Sequence, residues 1–358
     1  MSQALQLAGK GMHSTAPNPR VGCVIINDNK VVGEGYHVKA GEPHAEIIAL
    51  EQAGEYAQGA TVYVTLEPCC HTGKTPPCTD ALIEAGVKKV VAAQRDPHHR
   101  VAGQGFAALE AAGIEVKEGL LQAQAAQLNP GFIKRMQHGM PFVRIKLASS
   151  LDGRTAMASG ESKWITGESA RHDVQHWRAR SSAILTGVGT ILADDPALNT
   201  RLDDTSTHQA VRVILDTQLR TPVDAKLFQH KGNVIIMTAV ADVEQRALFN
   251  KHDVEFITCP SSENGVDLQF VLTQLASLEI NEVHVECGAT LAGSFLQHDL
   301  VDEIVLYLAP KLMGDVARGL FHLPELETMA DSIKLQIQDV RQFGDDIRLI
   351  VAPTKKVV

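Results

Sequence analysis

The segments His44-Ala45-Glu46, Pro68-Cys69 and Cys78 constrain the fold of this chain more than any other feature. One imidazole and two thiolates form a neutral ligand set for Zn²⁺, because the two thiolates cancel the charge of the metal. Three protein ligands leave the fourth tetrahedral position to water, which is typical of a catalytic rather than a structural zinc site. Glu46 is not needed as a ligand and is well placed to exchange a proton with that water. Any fold of this chain must therefore bring His44, Cys69 and Cys78 together.

The predicted local structure favours a zinc site over a chance grouping in a chain with 15 His and 6 Cys. A strand is predicted over residues 62–66, and helices are predicted over residues 45–53 and 79–85. Two helix N-termini aimed at one metal would stabilise the thiolates, because the N-terminal end of a helix is positive. Two neighbouring residues leave the ligand set open. Cys70 is interpreted as a bystander, and His71 is an alternative to one of the two Cys ligands.

The length of 358 residues exceeds one ordinary core and predicts two domains. No apolar run approaches the ~20 residues needed to cross a bilayer, and the first residues lack the pattern of a signal peptide. Six Cys without framework spacing indicate a reducing, cytoplasmic location. The net charge of −9 and the aromatic content of 4% disfavour nucleic acid, which needs a basic face or stacking platforms. We therefore expect a small-molecule substrate, with no nucleic-acid and no membrane partner.

Strands alternate with helices throughout the first half of the sequence, which predicts an α/β sheet with helices on both faces. Residues 122–135 are predicted to form a single closing helix. The segment Gly139-Met140-Pro141 then breaks the chain, and a new strand is predicted to begin at Phe142. The expected domains are residues 1–140 and 141–358.

The first domain resembles the cytidine-deaminase-like fold. Pro17-Asn18-Pro19-Arg20-Val21-Gly22 and Gly33-Glu34-Gly35-Tyr36-His37 precede the His-x-Glu helix, as in that fold. The usual spacing of two residues between the Cys ligands is eight here, filled by residues 70–77. With this spacing the segment is similar to the deaminase half of the bifunctional riboflavin-biosynthesis deaminase/reductase family, which implies a three-layer α/β/α domain. In that family the insertion helps to hold a phosphorylated substrate. That task suits Lys74 and the amides of the Gly73 turn, and a solvated loop charge is the alternative for Lys74.

The second domain carries a different set of motifs. A strand beginning at Phe142 leads into a turn, and a later strand over residues 283–287 runs into a glycine-rich segment, residues 288–294, that opens a helix. A glycine turn at a helix N-terminus is a potential phosphate site, although the G-x-G-x-x-G fingerprint of a standard dinucleotide fold is not met. Together these motifs resemble the reductase half of the same bifunctional family, in the expected order. The resemblance implies a dihydrofolate-reductase-like α/β fold and NADPH as cofactor.

The resemblance also implies roles for individual residues of the second domain. The positions that match its NADPH contacts are Ala148, Trp164, Thr190, Asp194, Thr217, Gly288, Ala289, Thr290, Leu291, Ala292, Gly293 and Ser294. The positions that match its substrate contacts are Ser162, Arg178, Leu198, Arg201 and Glu286. Thr217 stands where a hydroxyl lies near the 2′-phosphate, and Lys146 and Glu286 are candidates to polarise or protonate the substrate. For each of these residues the alternative is an ordinary structural role, in core packing or as surface charge.

The implied chemistry is a deamination followed by a reduction. Zinc activates water for attack on the pyrimidine carbon that bears the exocyclic amine, and Glu46 passes protons to the ring nitrogen and to the departing ammonia. The implied substrate is a phosphorylated pyrimidine, 2,5-diamino-6-(5-phosphoribosylamino)pyrimidin-4(3H)-one. NADPH then reduces C1′ of the ribose to give the ribityl chain. A homo-oligomer is expected. The rival hypothesis is a zinc-dependent nucleic-acid deaminase with an appended binding module, against which the net charge and the eight-residue spacing argue.

Overall fold

The computed structural model describes residues 1–72, 76–98, 101–202, 209–263 and 265–354. The chain divides into two compact units, Met1–Met140 and Pro141–Val358. They are called here the N-terminal unit and the C-terminal unit. Within the described residues, no helix is long and apolar enough to cross a membrane.

The N-terminal unit alternates strands and helices. Its elements are α1 (Ser2–Lys10), β1 (Gly22–Asn27), β2 (Lys30–Tyr36), α2 (Ala45–Ala53), β3 (Thr61–Val64), α3 (Cys78–Glu84), β4 (Lys89–Ala92), α4 (Gln104–Ala111), β5 (Glu115–Glu118), α5 (Gln122–Leu128) and α6 (Pro130–His138). In the described part of this unit five strands form one sheet in the order β2-β1-β3-β4-β5. Strand β1 runs antiparallel to β2 and β3, and β3, β4 and β5 are parallel to one another.

Helices cover both faces of this sheet. A buried cluster on one face joins α2, α3 and α4 to the strands, with Leu82 and Val62 fully buried in it. A second cluster on the other face joins Leu7 of α1 to Val24 of β1. Successive strand residues point to opposite faces, which is why Val24 meets α1 while its neighbour Ile25 lies in the first cluster. The unit therefore has three layers, α/β/α.

Gly35 in β2 lets α2 approach the sheet very closely. A Cβ atom at this position would lie 2.3 Å from the carbonyl oxygen of Ala45 and 2.8 Å from the backbone nitrogen of Ala49. A side chain at this position would force the helix away from the strand. The close contact fixes the beginning of α2, and with it His44, which is the N-cap residue of that helix.

The end of the N-terminal unit differs from the sequence prediction. The single helix predicted over residues 122–135 is two helices, α5 and α6, separated at Asn129. Pro130 has no backbone N–H to donate within a continuous helix and becomes the first residue of α6. The side chain of Asn129 accepts the backbone N–H of Arg20 at 2.8 Å and donates to the Arg20 carbonyl at 2.9 Å. The single-helix prediction is wrong because this contact, distant in sequence, holds Asn129 outside helical geometry.

The C-terminal unit is larger and contains more strands. Its elements are β6 (Phe142–Ser150), β7 (Arg154–Ala156), α7 (Glu168–Arg180), β8 (Ala183–Gly187), α8 (Val188–Asp194), β9 (Val211–Leu215), β10 (Val234–Thr238), α9 (Val243–Ala247), β11 (Val254–Thr258), β12 (Ser261–Ser262), β13 (Gly265–Val266), α10 (Leu268–Ser277), β14 (Glu282–Glu286), α11 (Ala289–Gln297), β15 (Glu303–Ala309), β16 (Arg318–Gly319), β17 (Leu335–Phe343) and β18 (Asp346–Pro353).

One long sheet organises the described part of this unit. Its strand order is β11-β10-β9-β8-β14-β6-β15-β18-β17. The strands from β11 to β15 in this order are parallel, and β18 and β17 complete the sheet in antiparallel fashion. Because the carboxyl ends of parallel strands meet at one edge, the residues that follow β8, β9 and β14 are brought close together there.

Candidate active sites

The three predicted metal ligands of the N-terminal unit converge. The Nδ1 atom of His44 lies 3.3 Å from the Sγ atom of Cys78 and 3.5 Å from the Sγ atom of Cys69. All three ligand atoms lie within 4.8 Å of one another. A tetrahedral zinc ion with usual Zn–N and Zn–S distances separates an N and an S ligand by about 3.6 Å. The donor set and its spacing therefore fit Zn²⁺.

Each ligand is placed by the end of a secondary-structure element. His44 precedes α2 in an extended conformation, and Cys78 is the first residue of α3. Cys69 lies after β3, where its carbonyl accepts the backbone N–H of Thr79 at 3.1 Å. Its sulfur accepts the backbone N–H of Cys78 at 3.4 Å. The backbone amides at the start of α3 thus hold Cys69 against Cys78 and favour negative charge on its sulfur.

The pKa values of the residues in this cluster suit zinc binding and proton transfer. The hydrogen bond from the Cys78 thiol, together with a smaller contribution from His44, outweighs burial and lowers the pKa of Cys69 to about 4. The same hydrogen bond, together with burial, raises the pKa of Cys78. Burial raises the pKa of Glu46 to about 7, with a further contribution from the Cys69 thiolate. A carboxyl group with that pKa can hold and release a proton near neutrality, as a proton shuttle requires.

Cys70 and His71, the two residues that made the choice of ligands ambiguous in the sequence, lie outside the ligand cluster. Among the described residues, the metal-ligand group is His44, Cys69 and Cys78. Cys70 is partly exposed, and the ring of His71 stacks on that of His98 with centroids 6.2 Å apart. Lys74 and the Gly73 turn, expected to hold a phosphate, lie outside the described residues.

Two neighbours of the cluster were not predicted as site residues. The buried ring of His37 packs edge-to-face against His44 with centroids 5.3 Å apart. Its Nδ1 atom lies 3.1 Å from the Pro43 carbonyl and its Nε2 atom 3.0 Å from the amide nitrogen of Asn18. The Pro43 carbonyl requires a proton on Nδ1, so Nε2 accepts from Asn18. His37 and Asn18 belong to the two sequence segments that resemble the cytidine-deaminase-like fold. This resemblance was the signal in the sequence that could have identified them as site residues.

Glu67 is a further residue that the sequence analysis missed. Its buried carboxylate accepts backbone N–H groups at 2.9 to 3.3 Å from Asp96, Gly103, Gly105 and Phe106. These bonds join the turn that carries Cys69 to the start of α4. Nothing in the local sequence indicates such partners, because they lie about thirty to forty positions further along the chain.

The predicted reductase residues surround one cavity of about 1390 Å³ in the C-terminal unit. The residues predicted for the cofactor that line it are Ala148, Trp164, Thr190, Asp194, Thr217, Gly288, Ala289, Thr290, Leu291 and Ser294. The residues predicted for the substrate that line it are Ser162, Arg178, Leu198, Arg201 and Glu286, together with Lys146. Ala292 and Gly293 are placed elsewhere, since both are buried on the core side of α11.

The cavity lies at the carboxyl edge of the parallel strands. Lys146 and Glu286 are paired in register on β6 and β14. Thr217 follows β9, and Gly288 is the N-cap of α11 after β14. The first backbone amides of α11 are a suitable site for a phosphate group of a dinucleotide.

An ion pair dominates the wall of the cavity next to β14. Arg178 donates from Nε and Nη2 to the two carboxylate oxygens of Glu286, at 2.6 and 2.9 Å, and from Nη1 to the Asn199 carbonyl at 2.8 Å. Burial opposes ionisation of Glu286, but Arg178 outweighs it and holds the pKa of Glu286 well below its usual range. Burial lowers the pKa of Lys146, with Glu286 opposing that shift. An anchored carboxylate and an amine of reduced basicity thus lie side by side.

Two cations that line the same cavity were not predicted. Arg220 and Lys226 line it together with Thr217, and a Cβ atom at Gly265 would lie 3.2 Å from the Thr217 hydroxyl. At the open side, the Arg171 guanidinium lies 4.7 Å from the centroid of the exposed Trp164 ring. Arg220 and Lys226 add positive charge to the cavity that Thr217 lines, and this charge suits the additional phosphate that distinguishes NADPH from NADH.

Comparison with known proteins matches the two halves of the chain to two different family models. Residues 1–94 match the family model "Cytidine and deoxycytidylate deaminase zinc-binding region", and residues 141–349 match the model "RibD C-terminal domain". The chain is 49% identical to "Riboflavin biosynthesis protein RibD" of Haemophilus influenzae, with 99% of this chain and 96% of that protein aligned. It is 49% identical to the protein of the same name from Escherichia coli, with 98% and 97% aligned.

Solved structures agree with these matches over the whole chain. The structure of Acinetobacter baumannii RibD, form 1, superposes with a TM-score of 0.92 at 50% identity and covers 99% of this chain and 98% of that one. A diaminohydroxyphosphoribosylaminopyrimidine deaminase/5-amino-6-(5-phosphoribosylamino)uracil reductase from Thermotoga maritima superposes with a TM-score of 0.88 at 35% identity, covering 99% and 97%. The chain therefore belongs to the RibD family of bifunctional pyrimidine deaminase/reductases of riboflavin biosynthesis, with an N-terminal zinc-binding cytidine-deaminase domain and a C-terminal, dihydrofolate-reductase-like domain that uses NAD(P)H.

Proposed function

We propose that this enzyme deaminates 2,5-diamino-6-(5-phosphoribosylamino)pyrimidin-4(3H)-one and then reduces 5-amino-6-(5-phosphoribosylamino)uracil with NADPH. We assign the first step to residues 1–140 and the second to residues 141–358. The observation that carries the proposal is that each unit holds its own site: a zinc ligand cluster beside buried Glu46 in one, and a dinucleotide-sized cavity in the other. The name of the Thermotoga maritima protein states the same two activities for that protein.

In the deamination step, Glu46 is the group of this chain that moves protons. Zinc held by His44, Cys69 and Cys78 supplies Lewis-acid activation of the attacking water. Glu46, buried and with its pKa raised to about 7 by that burial, takes the proton of the water. It then passes protons to the ring nitrogen and to the leaving ammonia. Burial of Glu46 keeps bulk water from competing for these protons.

In the reduction step, the chain binds and orients the substrate beside the cofactor. Arg178, Arg201 and Ser162 present cationic and hydroxyl groups to a phosphorylated substrate. NADPH would supply a hydride to C1′ of the open-chain form, whose C1′=N double bond becomes a single bond as the nitrogen takes up a proton. Lys146, whose pKa is lowered by burial, lines the cavity and can supply that proton, whereas Glu286 stays ionised and can accept a hydrogen bond from the substrate.

We further propose that two copies of this chain associate through the edge of the long sheet. Strand β17 is the last strand in the sheet order, and its side chains Leu335, Ile337 and Val340 are 46%, 62% and 56% exposed. Exposed apolar residues on a long edge strand favour pairing with another strand. A second copy would cover these residues. Sedimentation analysis should show a dimer or larger, and Ile337→Lys should shift it towards the monomer.

The decisive experiment follows both reactions in one sample of the purified enzyme. With the proposed diaminopyrimidine and NADPH, ammonia release should precede NADPH oxidation, and the protein should carry about one zinc per chain. Separate fragments of residues 1–140 and 141–358 should each retain one step. A soluble, folded C-terminal fragment that fails to bind NADPH would contradict the domain assignment. The alternative of a nucleic-acid deaminase with an appended binding module is not retained, because residues 141–349 match a reductase family model.

A further inference from the structure

His284 is a fully buried histidine without a role in the reactions described above. It lies in the middle of β14, in register with Ile184 of β8 and Arg144 of β6. Within the described residues, neither ring nitrogen forms a hydrogen bond of normal geometry. Buried polar groups are nearly always hydrogen-bonded, so an imidazole placed this way calls for an explanation.

Charged residues flank this ring on β6, on β14 itself and on α7, whereas β8 carries none. Arg144, Arg178 and Glu286 act directly on the charge of the ring. Lys146 is paired in register with Glu286, and Arg180 of α7 forms an ion pair with Glu282 of β14. Glu282 is already engaged by Arg144 and by Arg180, both at 3.0 Å. Glu286 remains within reach, because its Oε1 atom lies 3.4 Å from the Nε2 atom of His284. The imidazole therefore has one carboxylate towards which it can donate.

His284 contacts Glu286 without lining the cavity itself. Glu286 is one of the lining residues, whereas His284 is completely buried in the sheet. Arg178 holds both oxygens of the same carboxylate from α7. A carboxylate has about four lone-pair directions. Arg178 uses two of them and His284 lies near a third, which leaves the remaining direction for a ligand in the cavity.

The ring acts as a neutral donor. Burial lowers the pKa of His284, and Arg144 and Arg178 lower it further, while Glu286 opposes the shift. A neutral imidazole carries one N–H, and the position of Glu286 selects the tautomer with the proton on Nε2. In that tautomer the positive end of the Nε2–H dipole faces Oε1 of Glu286 at a distance of 3.4 Å, which stabilises the ionised carboxylate and lowers the pKa of Glu286.

This inference rests on the proposed role of Glu286 in the reduction. We propose that His284 is a positioning residue for the reductase, which fixes the orientation of the Glu286 carboxylate so that one oxygen faces the substrate. Without this contact, the carboxylate is held from one side only, by Arg178, and can tilt within that ion pair. His284 itself does not touch substrate or cofactor.

The test compares His284→Leu with His284→Gln, which are similar in size and differ in the ability to donate. In His284→Leu, kcat/KM for reduction of the deaminated substrate should fall about tenfold, because the Glu286 carboxylate loses one of the two polar groups that hold it. The acidic limb of the pH profile of kcat/KM should move to higher pH in this variant, because Glu286 loses a neighbour that lowered the pKa of its carboxyl. In His284→Gln most of the activity should return. The dissociation constant of NADPH, measured by fluorescence quenching, should stay unchanged in both variants.

Two controls separate this proposal from its alternatives. His172→Phe, at an exposed position of α7, should behave as the unmodified enzyme. Glu286→Gln should lose reduction. If Glu286→Gln reduces normally, the proposed role of Glu286 fails and the inference falls with it. If Glu286→Gln is inactive but His284→Leu keeps its kcat/KM and pH profile, only the role of His284 is overturned. Equal losses in the leucine and glutamine variants would also overturn it. If the leucine variant does not fold, His284→Phe replaces it in the same comparison.

Discussion

The two sites of this enzyme are built in opposite ways. The zinc ligands of the N-terminal unit lie between positions 44 and 78, and three atoms define the site. The cavity of the C-terminal unit is lined by residues from Lys146 to Glu325, placed by the carboxyl ends of several parallel strands and by the loops that follow them. The first site is therefore local and concentrated, and the second is spread over the fold.

This difference predicts how each site responds to substitution. In the zinc cluster each residue has a task that no neighbour duplicates, because a metal needs its full ligand set and the reaction needs its proton carrier. In the cavity many contacts share the binding of a large cofactor, so removal of one contact leaves the others in place. Substitutions should accordingly have large effects in the N-terminal unit and graded effects in the C-terminal unit.

Glu46→Gln should produce the largest effect. The amide keeps the shape of the side chain but cannot accept and return a proton, so deamination should fall by about 10²–10⁴-fold. Zinc content should remain unchanged, because Glu46 is not among the ligands. Ammonia release and metal analysis measure the two quantities. Reduction of the already deaminated substrate serves as the control and should proceed normally. Loss of zinc from this variant would show that the role given to Glu46 is wrong.

Cys78→Ser should produce the second-largest effect, a loss of both bound zinc and deamination. A serine hydroxyl is a poor substitute for a thiolate towards zinc, and the backbone contact between Cys78 and Cys69 cannot replace the ligand. Cys70→Ser is the matched control, since Cys70 lies outside the ligand cluster and should retain the metal. Zinc content per chain decides the comparison. Equal zinc loss in the two variants would mean that the ligand set has been assigned incorrectly.

The contrast between the sites also explains how much the sequence could predict. The zinc ligands and the alternation of strands and helices follow from short motifs and from local periodicity, and the fold class predicted from them is confirmed. The partners of Glu67 were missed because they lie about thirty to forty positions away. The break at Asn129 is held by a contact with Arg20 about a hundred positions away, although Pro130 was a local signal for it. Arg220 and Lys226 lie close to Thr217 in the sequence, but nothing in the sequence shows that their loop lines the cavity.

The glycine-rich segment shows a further limit of sequence reasoning. Family resemblance treats residues 288–294 as one cofactor-contacting run. A helix turns its residues through 100° each. The structure accordingly places Gly288 to Leu291 and Ser294 on the cavity and turns Ala292 and Gly293 towards the core. A linear motif cannot distinguish these faces until the helix is placed on the sheet.

Thr217→Ala tests a single contact of the distributed site. Loss of a hydroxyl that donates to a charged phosphate should weaken NADPH binding by roughly 1.5–3 kcal/mol. NADH lacks that phosphate and should be bound as before, so the preference for NADPH should narrow. Titration of NADPH and NADH into the Thr217→Ala variant and into the unmodified enzyme measures this preference. Arg220→Ala should narrow the preference as well, since Arg220 lines the same cavity and follows Thr217 by three positions. An unchanged ratio in Thr217→Ala would remove this residue from the cofactor site.

Gly293→Ala should have the smallest effect on function and should act on stability instead. A Cβ atom at this position would lie 2.0 Å from the carbonyl oxygen of His322, so α11 and the segment around His322 must move apart. Overpacking of this kind costs about 1–3 kcal/mol.

Gly9→Ala in α1 is the matched control, because a Cβ atom there has open space and alanine favours a helix. Thermal unfolding should show a loss for Gly293→Ala and none for Gly9→Ala, while the NADPH to NADH preference stays the same in both. A changed preference in Gly293→Ala, without loss of stability, would place Gly293 among the cofactor contacts after all. In that case the glycine-rich segment would act as a single phosphate-binding run and the cavity would be less distributed than the structure indicates.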